Sequence, residues 1–356
     1  MKPIWTLISL LALSACHSPE LRVVAVEPLG LLPKPDSIDG RDGGLSGQFL
    51  NHSVWVYGDS VALMAGTFPS TWRNNTMSWT DDLDATDGIG GFVQPLDTLG
   101  TPREFFPRTA DEEAFNAAHI DRGDGNCQAP CGARYAIWGS APITNPGGAG
   151  VLLAYSKVYS EPGAFNFSIV GSSLATWTDF DTGPVRPEVD GRVADKNILF
   201  DASDGEFGIP TVFESALYLF SCSGQRSPHG ECRLARAPLD QVFHRDAWRF
   251  WTGSAWSADV AAAASLFAGT PNMTVHWNAY LNRWLIIYAS YGHIMVRTAP
   301  RPEGPWTDEE SVYTPPEPDI LHALGHAEYQ QADGAVEYVS YLSGQFRLVR
   351  LRLSRP

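Results

Sequence analysis

Positive charge is scarce in this chain. Its 356 residues hold 25 Lys and Arg against 40 Asp and Glu, a formal net charge of −15. Such a surface repels phosphate backbones and anionic headgroups, which makes nucleic acid and charged bilayers poor partners. Cysteine is sparse, at five residues. The apolar run from Ile4 to Leu13 is too short to cross a bilayer and stay there. Several catalytic signatures are missing too. The chain has no Gly-x-Ser-x-Gly elbow, no Walker loop, no Gly-x-Gly-x-x-Gly after a strand and no His-Glu-x-x-His. No cofactor is implied, and a hydrolase built on this chain must rest on carboxylates.

What is present begins with an address. Lys2 precedes the apolar run, and Leu13-Ser14-Ala15-Cys16 then matches the bacterial lipobox, in which the Cys is acylated and becomes the mature N-terminus. The competing reading is an ordinary secretory signal with a chance Cys. Residue 17 is His, not the Asp that retains many lipoproteins at the inner membrane, so a lipid-anchored place in the outer membrane of a bacterial envelope is expected. The membrane would be met through this anchor alone. Residues 17–35 read as a tether, with Leu21 to Val26 as a possible closing strand. Four cysteines remain, in two close pairs: Cys127 with Cys131, and Cys222 with Cys232. Local disulfides are the natural pairing in an exported chain. A zinc site fails on spacing, and no metal is expected.

One phrase recurs five times: an apolar run ending in an aromatic, then a small or polar residue. Its aromatics are Tyr57, Tyr155, Phe220, Tyr288 and Tyr341, at intervals of 98, 65, 68 and 53 residues. Five strand-like copies at blade-sized spacing predict an all-β, five-bladed β-propeller, a single domain over residues 36–356 and a monomer. Twelve Trp and 12 Tyr supply its core, or platforms on which sugar rings stack. Residues 81–134 read as a long irregular insertion forming a rim wall over the central pocket. Within it, Asp81 to Gly88 faintly resembles a calcium loop, but its Gly is misplaced and no Glu closes it. Asp259 to Phe267, rich in Ala, is the one expected helix. The first strand of the last blade is expected at His326 to Gln330.

Two residues after each aromatic stand Asp59, Lys157, Cys222, Ser290 and Ser343; only the first copy carries a carboxylate. Asp42, in Gly40-Arg41-Asp42-Gly43-Gly44, lies 17 residues earlier across a hairpin-length stretch. A hairpin of that size brings both carboxylates to one end of the sheet. Glycoside hydrolysis needs such a pair, one to protonate the leaving oxygen and one to attack or to activate water. Arg41 is a candidate to hold one of them ionised. The plain alternative is an Asp capping a Gly-rich turn.

Gly40-Arg41-Asp42-Gly43-Gly44, Trp55-Val56-Tyr57-Gly58-Asp59 and the later Trp284-Leu285, Arg297-Thr298-Ala299-Pro300 and Gly304-Pro305-Trp306 resemble the bacterial propeller family called domain of unknown function 4185. Part of that family is recognised as endo-D-arabinanases, glycoside hydrolase family 183. The resemblance covers roughly residues 36 to 353. It implies a five-bladed propeller with a glycan pocket and two catalytic aspartates, matching Asp42 and Asp59. The insertion and the Cys pairs depart from the arabinanases, so the substrate does not transfer with the fold.

Other candidates come from first strands of later blades, which line the channel in propellers. His276 and Asn278, and likewise His326 and Glu328, alternate with apolar neighbours and suit hydroxyl recognition; Glu328 is also a reserve acid. Trp138 is a candidate stacking platform, and Glu206 a turn residue that could reach the rim. Core packing is the rival reading for each. The chain therefore reads as an exported lipoprotein that hydrolyses a polysaccharide. The alternatives are a non-catalytic glycan-binding or scaffold lipoprotein, or an assembly partner with an exposed apolar patch.

Overall fold

The computed structural model describes residues 21–66, 70–145, 148, 150–191, 195–224 and 229–355. Cys16 and the proposed signal segment lie outside them. Five antiparallel sheets form the five blades of a propeller. Their innermost strands are Ile38–Phe49, Arg134–Gly139, Ile209–Phe213, Met273–Asn278 and Leu321–Gly325.

All five copies of the repeated phrase fall on the second strand of a blade: His52–Ala62, Val151–Ser160, Ala216–Cys222, Arg283–Ser290 and Val336–Ser343. A second strand is covered by neighbouring blades on both faces, so it reads as a continuous apolar run rather than an alternation. Val151 to Val158 is buried throughout. Between each pair of adjacent blades lies one apolar cluster, and there are five such clusters. The one between blades 1 and 2 joins Val54, Val56 and Met77 to Ile137, Leu153 and Tyr155. The last joins Trp55 and Tyr57 of blade 1 to Tyr338 and Leu348 of blade 5 and so closes the ring.

The ring is also closed by hydrogen bonds. Arg22–Leu31 pairs with Gln345–Ser354 of blade 5, from Arg22 opposite Ser354 to Leu31 opposite Arg347. The expected closing strand is therefore present and longer than anticipated. The folded part begins by Leu21, inside the stretch read as a tether.

Three expectations are corrected. The insertion carries the α-helix of the described residues, Ala110–His119, opened by a capping box in which Thr109 and Glu112 satisfy each other's amides. Asp259 to Phe267 does not form a helix. Val260–Ala262 makes one 3₁₀ turn, and the next amides are claimed by blade 3, with Ala264 donating to Trp251 and Leu266 to Cys232. The first strand of blade 5 is Leu321–Gly325, not His326 to Gln330; the latter stretch coils into a 3₁₀ turn over Ala327–Tyr329. Both predicted disulfides form, Cys127–Cys131 within the insertion and Cys222–Cys232 across two strands of blade 3.

Candidate active site

A cavity of about 1740 Å³ opens on the propeller axis, lined by the inner strands of all five blades. Its upper walls come from Ser160 to Phe167, Pro271-Asn272 and Leu321-His322. Of residues 81–134 only the last, Arg134 at the start of the blade 2 inner strand, lines it, so the insertion correctly reads as ordered but does not wall the pocket. Its start packs between blades 1 and 5 through Ala85 and Ile89, and its middle between blades 1 and 2. Phe106 fills the space left by Gly139, and the Asn75 side chain caps the amides of Phe105 and Phe106 at 2.7 and 2.8 Å.

Asp42 and Asp59 both line this cavity. The glycines around Asp42 explain its placement. The inner strand of blade 1 is bulged between Arg41 and Gly43 and again between Gly43 and Leu45. Gly43 and Gly44 take φ of 82° and 84°, a region that disfavours side chains. This re-aims Asp42 so that its carboxyl lies against Gly58, where a Cβ would stand 2.6 Å from Oδ1. Gly58 thus leaves room for one carboxylate directly before Asp59 supplies the other.

Their surroundings differ. Burial, and then the neighbouring Asp59, push the Asp42 carboxyl up to about 7. Burial also raises Asp59, but two indoles oppose it. Trp72 and Trp138 both donate from Nε1 to Asp59 Oδ1, at 3.1 and 3.3 Å. One carboxyl is thus favoured as a proton carrier, while the other is furnished for negative charge.

The other predicted positions separate into two groups. Trp138 stands in the cavity wall and binds Asp59, with Phe167 edge-on at 5.0 Å. His276 lines the cavity, 3.3 Å from Glu337, with Nδ1 buried and unpartnered. Glu328 lines it as well, accepting from Ser46 at 2.5 Å and Ser53 at 2.8 Å, and burial raises its carboxyl. Glu206 reaches the cavity rather than ending in a turn, and accepts from Ser156 at 2.5 Å.

Arg41, Asn278 and His326 do not serve as expected. Arg41 lines the cavity, but its guanidinium lies 3.5 Å over the Tyr57 ring and donates to Ser78 and to Gln94 of the insertion, so it does not hold a carboxylate. Asn278 is fully buried at the end of its strand, bound to Gly334, Glu337 and the Leu281 amide. His326 is fully buried between Ser46 and Ser340, over Trp55; burial pushes it down to about 3 and keeps it neutral. Both are satisfied core residues, because the strand that was expected to expose His326 ends before it. In the calcium-like loop Asp82 accepts the amides of Asp84 and Gly90, Asp84 accepts that of Thr86, and Asp81 pairs with His52. Among the described residues no group of three His, Cys, Asp or Glu is arranged to hold a metal ion.

Trp72, His322 and Phe165 also line the cavity and were not anticipated. Nothing in the alternation of their segments marks them, since each lies on a two-residue strand, a bulge or a turn.

Residues 166–344, half of the chain, match the model of a family described as domain of unknown function DUF4185. The chain belongs to this family. The match runs from the end of blade 2 into blade 5; Asp42 and Asp59 precede it. No curated protein matches the chain in sequence. Among solved structures, a candidate hydrolase of Bacteroides ovatus is 12% identical, with 88% of this chain and 86% of that one covered and a TM-score of 0.57. An α-L-arabinofuranosidase of Podospora anserina is 12% identical over 92% and 95% of the two chains, with a TM-score of 0.45. An endo-arabinase of Bacteroides thetaiotaomicron is 12% identical over 89% and 95%, also with 0.45. The first of these likenesses shows a shared fold.

Proposed function

We propose that this DUF4185 protein is an exported, lipid-anchored glycoside hydrolase that cleaves a polysaccharide, with arabinan the first substrate to test. The observation that carries this reading is the pair Asp42 and Asp59, side by side in one open cavity and in unequal surroundings. Asp42, protonated near neutrality, gives its proton to the glycosidic oxygen. Asp59, held by two indole N–H groups, meets the anomeric carbon as nucleophile or activates a water against it. Trp138 offers a ring face for the sugar. Export is supported by the two disulfides and by the lipobox at Cys16, which would anchor a monomer to the outer membrane.

A second reading, glycan binding without turnover, is favoured by one observation: Asp42 accepts the backbone N–H of Asp59, the bond expected of a turn-capping aspartate. Release of reducing sugar from a panel of polysaccharides separates the two. The protein lacking residues 1–16 should release sugar, and folded Asp42→Asn and Asp59→Asn variants should not. Binding retained by all three without release would leave a lectin-like protein.

A further inference from the structure

His322 is the least expected side chain in the cavity. It sits on the inner strand of blade 5 with φ of 46°, a left-handed conformation that a histidine rarely adopts. The strand is bulged at this point, with pairing to blade 5's second strand shifted between Leu321 and Leu324. Burial pushes its ring down to about 4, and among the described residues no neighbouring charge or hydrogen bond acts on it. A strained backbone that delivers an unengaged, neutral imidazole to a pocket needs a reason outside the chain.

Its place in the channel supplies one. In both blades 1 and 5 the first strand is innermost, so these two strands run in the same direction past each other. They are tied where Ser46 meets His326 at 2.6 Å and Glu328 at 2.5 Å. Asp42 precedes Ser46 on the blade 1 strand, and His322, on the strand that ends at Gly325, precedes His326. Both stretches are bulged, and the bulges turn Asp42 and His322 alike into the wall of the same cavity.

We propose that His322 is a substrate-positioning residue whose imidazole hydrogen-bonds a hydroxyl of the glycan held in the cavity that Asp42 also lines. A neutral imidazole both donates and accepts, which suits a hydroxyl group. The inference rests on the glycan-pocket reading above, but not on turnover.

The test therefore measures binding first. Arabinan, xylan and galactan oligosaccharides are titrated calorimetrically into the Asp42→Asn protein, with and without His322→Gly. Glycine accepts the left-handed backbone, so Tm should stay level or rise. Kd should weaken roughly 10- to 100-fold, the span of one or two lost hydrogen bonds. His322→Asn tolerates the same backbone and keeps a donor and an acceptor, so it should recover part of the affinity. In the active protein the loss should fall on KM more than on kcat. An unchanged Kd in His322→Gly overturns the proposal while leaving hydrolysis standing. Binding by the parent without any hydrolysis removes the glycosidase reading, and the Kd comparison still decides His322. Failure of the parent to bind any of the three overturns both.

Discussion

At the residue scale, two aspartates of the same type differ because of what touches them. Asp42 packs against a glycine beside a second carboxylate, and burial keeps it protonated near neutrality. Its loss as an acid sets the alkaline side of the pH–rate profile, so activity should fall as pH rises through about 7. The sign for stability follows the same shift. The folded state holds this proton more tightly than the unfolded chain, so stability is lost as pH rises from the ordinary carboxylate range through about 7. Asp42→Asn should therefore abolish turnover yet raise Tm by several degrees at neutral pH and leave it unchanged at pH 3, a pattern that thermal melts at the two pH values would show. Trp72 holds the other carboxylate. Trp72→Phe removes one of two N–H donors to Asp59 and should shift the acidic limb of the profile upward by about half a unit to one unit. A pH profile that moves only in height would place Trp72 in packing alone.

At the scale of elements, the insertion helix is held by charge as well as by apolar contact. Glu112, buried at its first turn, receives Arg186 at 2.7 Å and Lys157 at 3.0 Å, and Lys157 also meets Asp195 at 2.6 Å. Burial opposes ionisation of Glu112, but Arg186, the Thr109 amide and Lys157 together draw its carboxyl down to about 2. Removing one partner strands the others without water. Glu112→Ala should cost about 3–5 kcal/mol in urea unfolding. Lys196→Ala, which breaks only the exposed pair with Glu188, should change stability by less than about 0.5 kcal/mol. The Thr-x-x-Glu spacing that makes this capping box stands in the sequence at Thr109 and Glu112, inside a stretch that reads as irregular, while the Ala-rich stretch near Val260 loses its backbone to blade 3.

At the scale of the whole molecule, the propeller is a closed ring whose last blade borrows its outer strand from the N-terminus. That strand covers the edge of Gln345–Ser354. Deleting residues 1–31 should expose this edge, lower Tm and promote self-association, while deleting residues 1–16 should do neither. Size-exclusion chromatography of the two proteins would show it.

Chemistry and topology divide what each level of the molecule decides. The sequence by itself determined the fold class and blade count, because a second strand packed on both faces must be written as an apolar run ending in an aromatic, five times over. It also marked Asp42 and Asp59, since a carboxylate among glycines breaks that pattern in the first blade, and it paired the cysteines, which stand too close for other partners. Only the tertiary structure decided which residues share the cavity. Asn278 and His326 have the alternation of lining residues, yet they are consumed by Glu337 and Ser340, while Arg41 lines the cavity with its guanidinium engaged by Tyr57. Trp72, Glu206 and His322 have no alternation, yet they reach the cavity from a short strand, an irregular stretch and a bulge. Alternation along a strand is a local property of the chain. The direction a side chain takes at a bulge or a strand end depends on the neighbouring blade, and the sequence of that segment does not contain its neighbour.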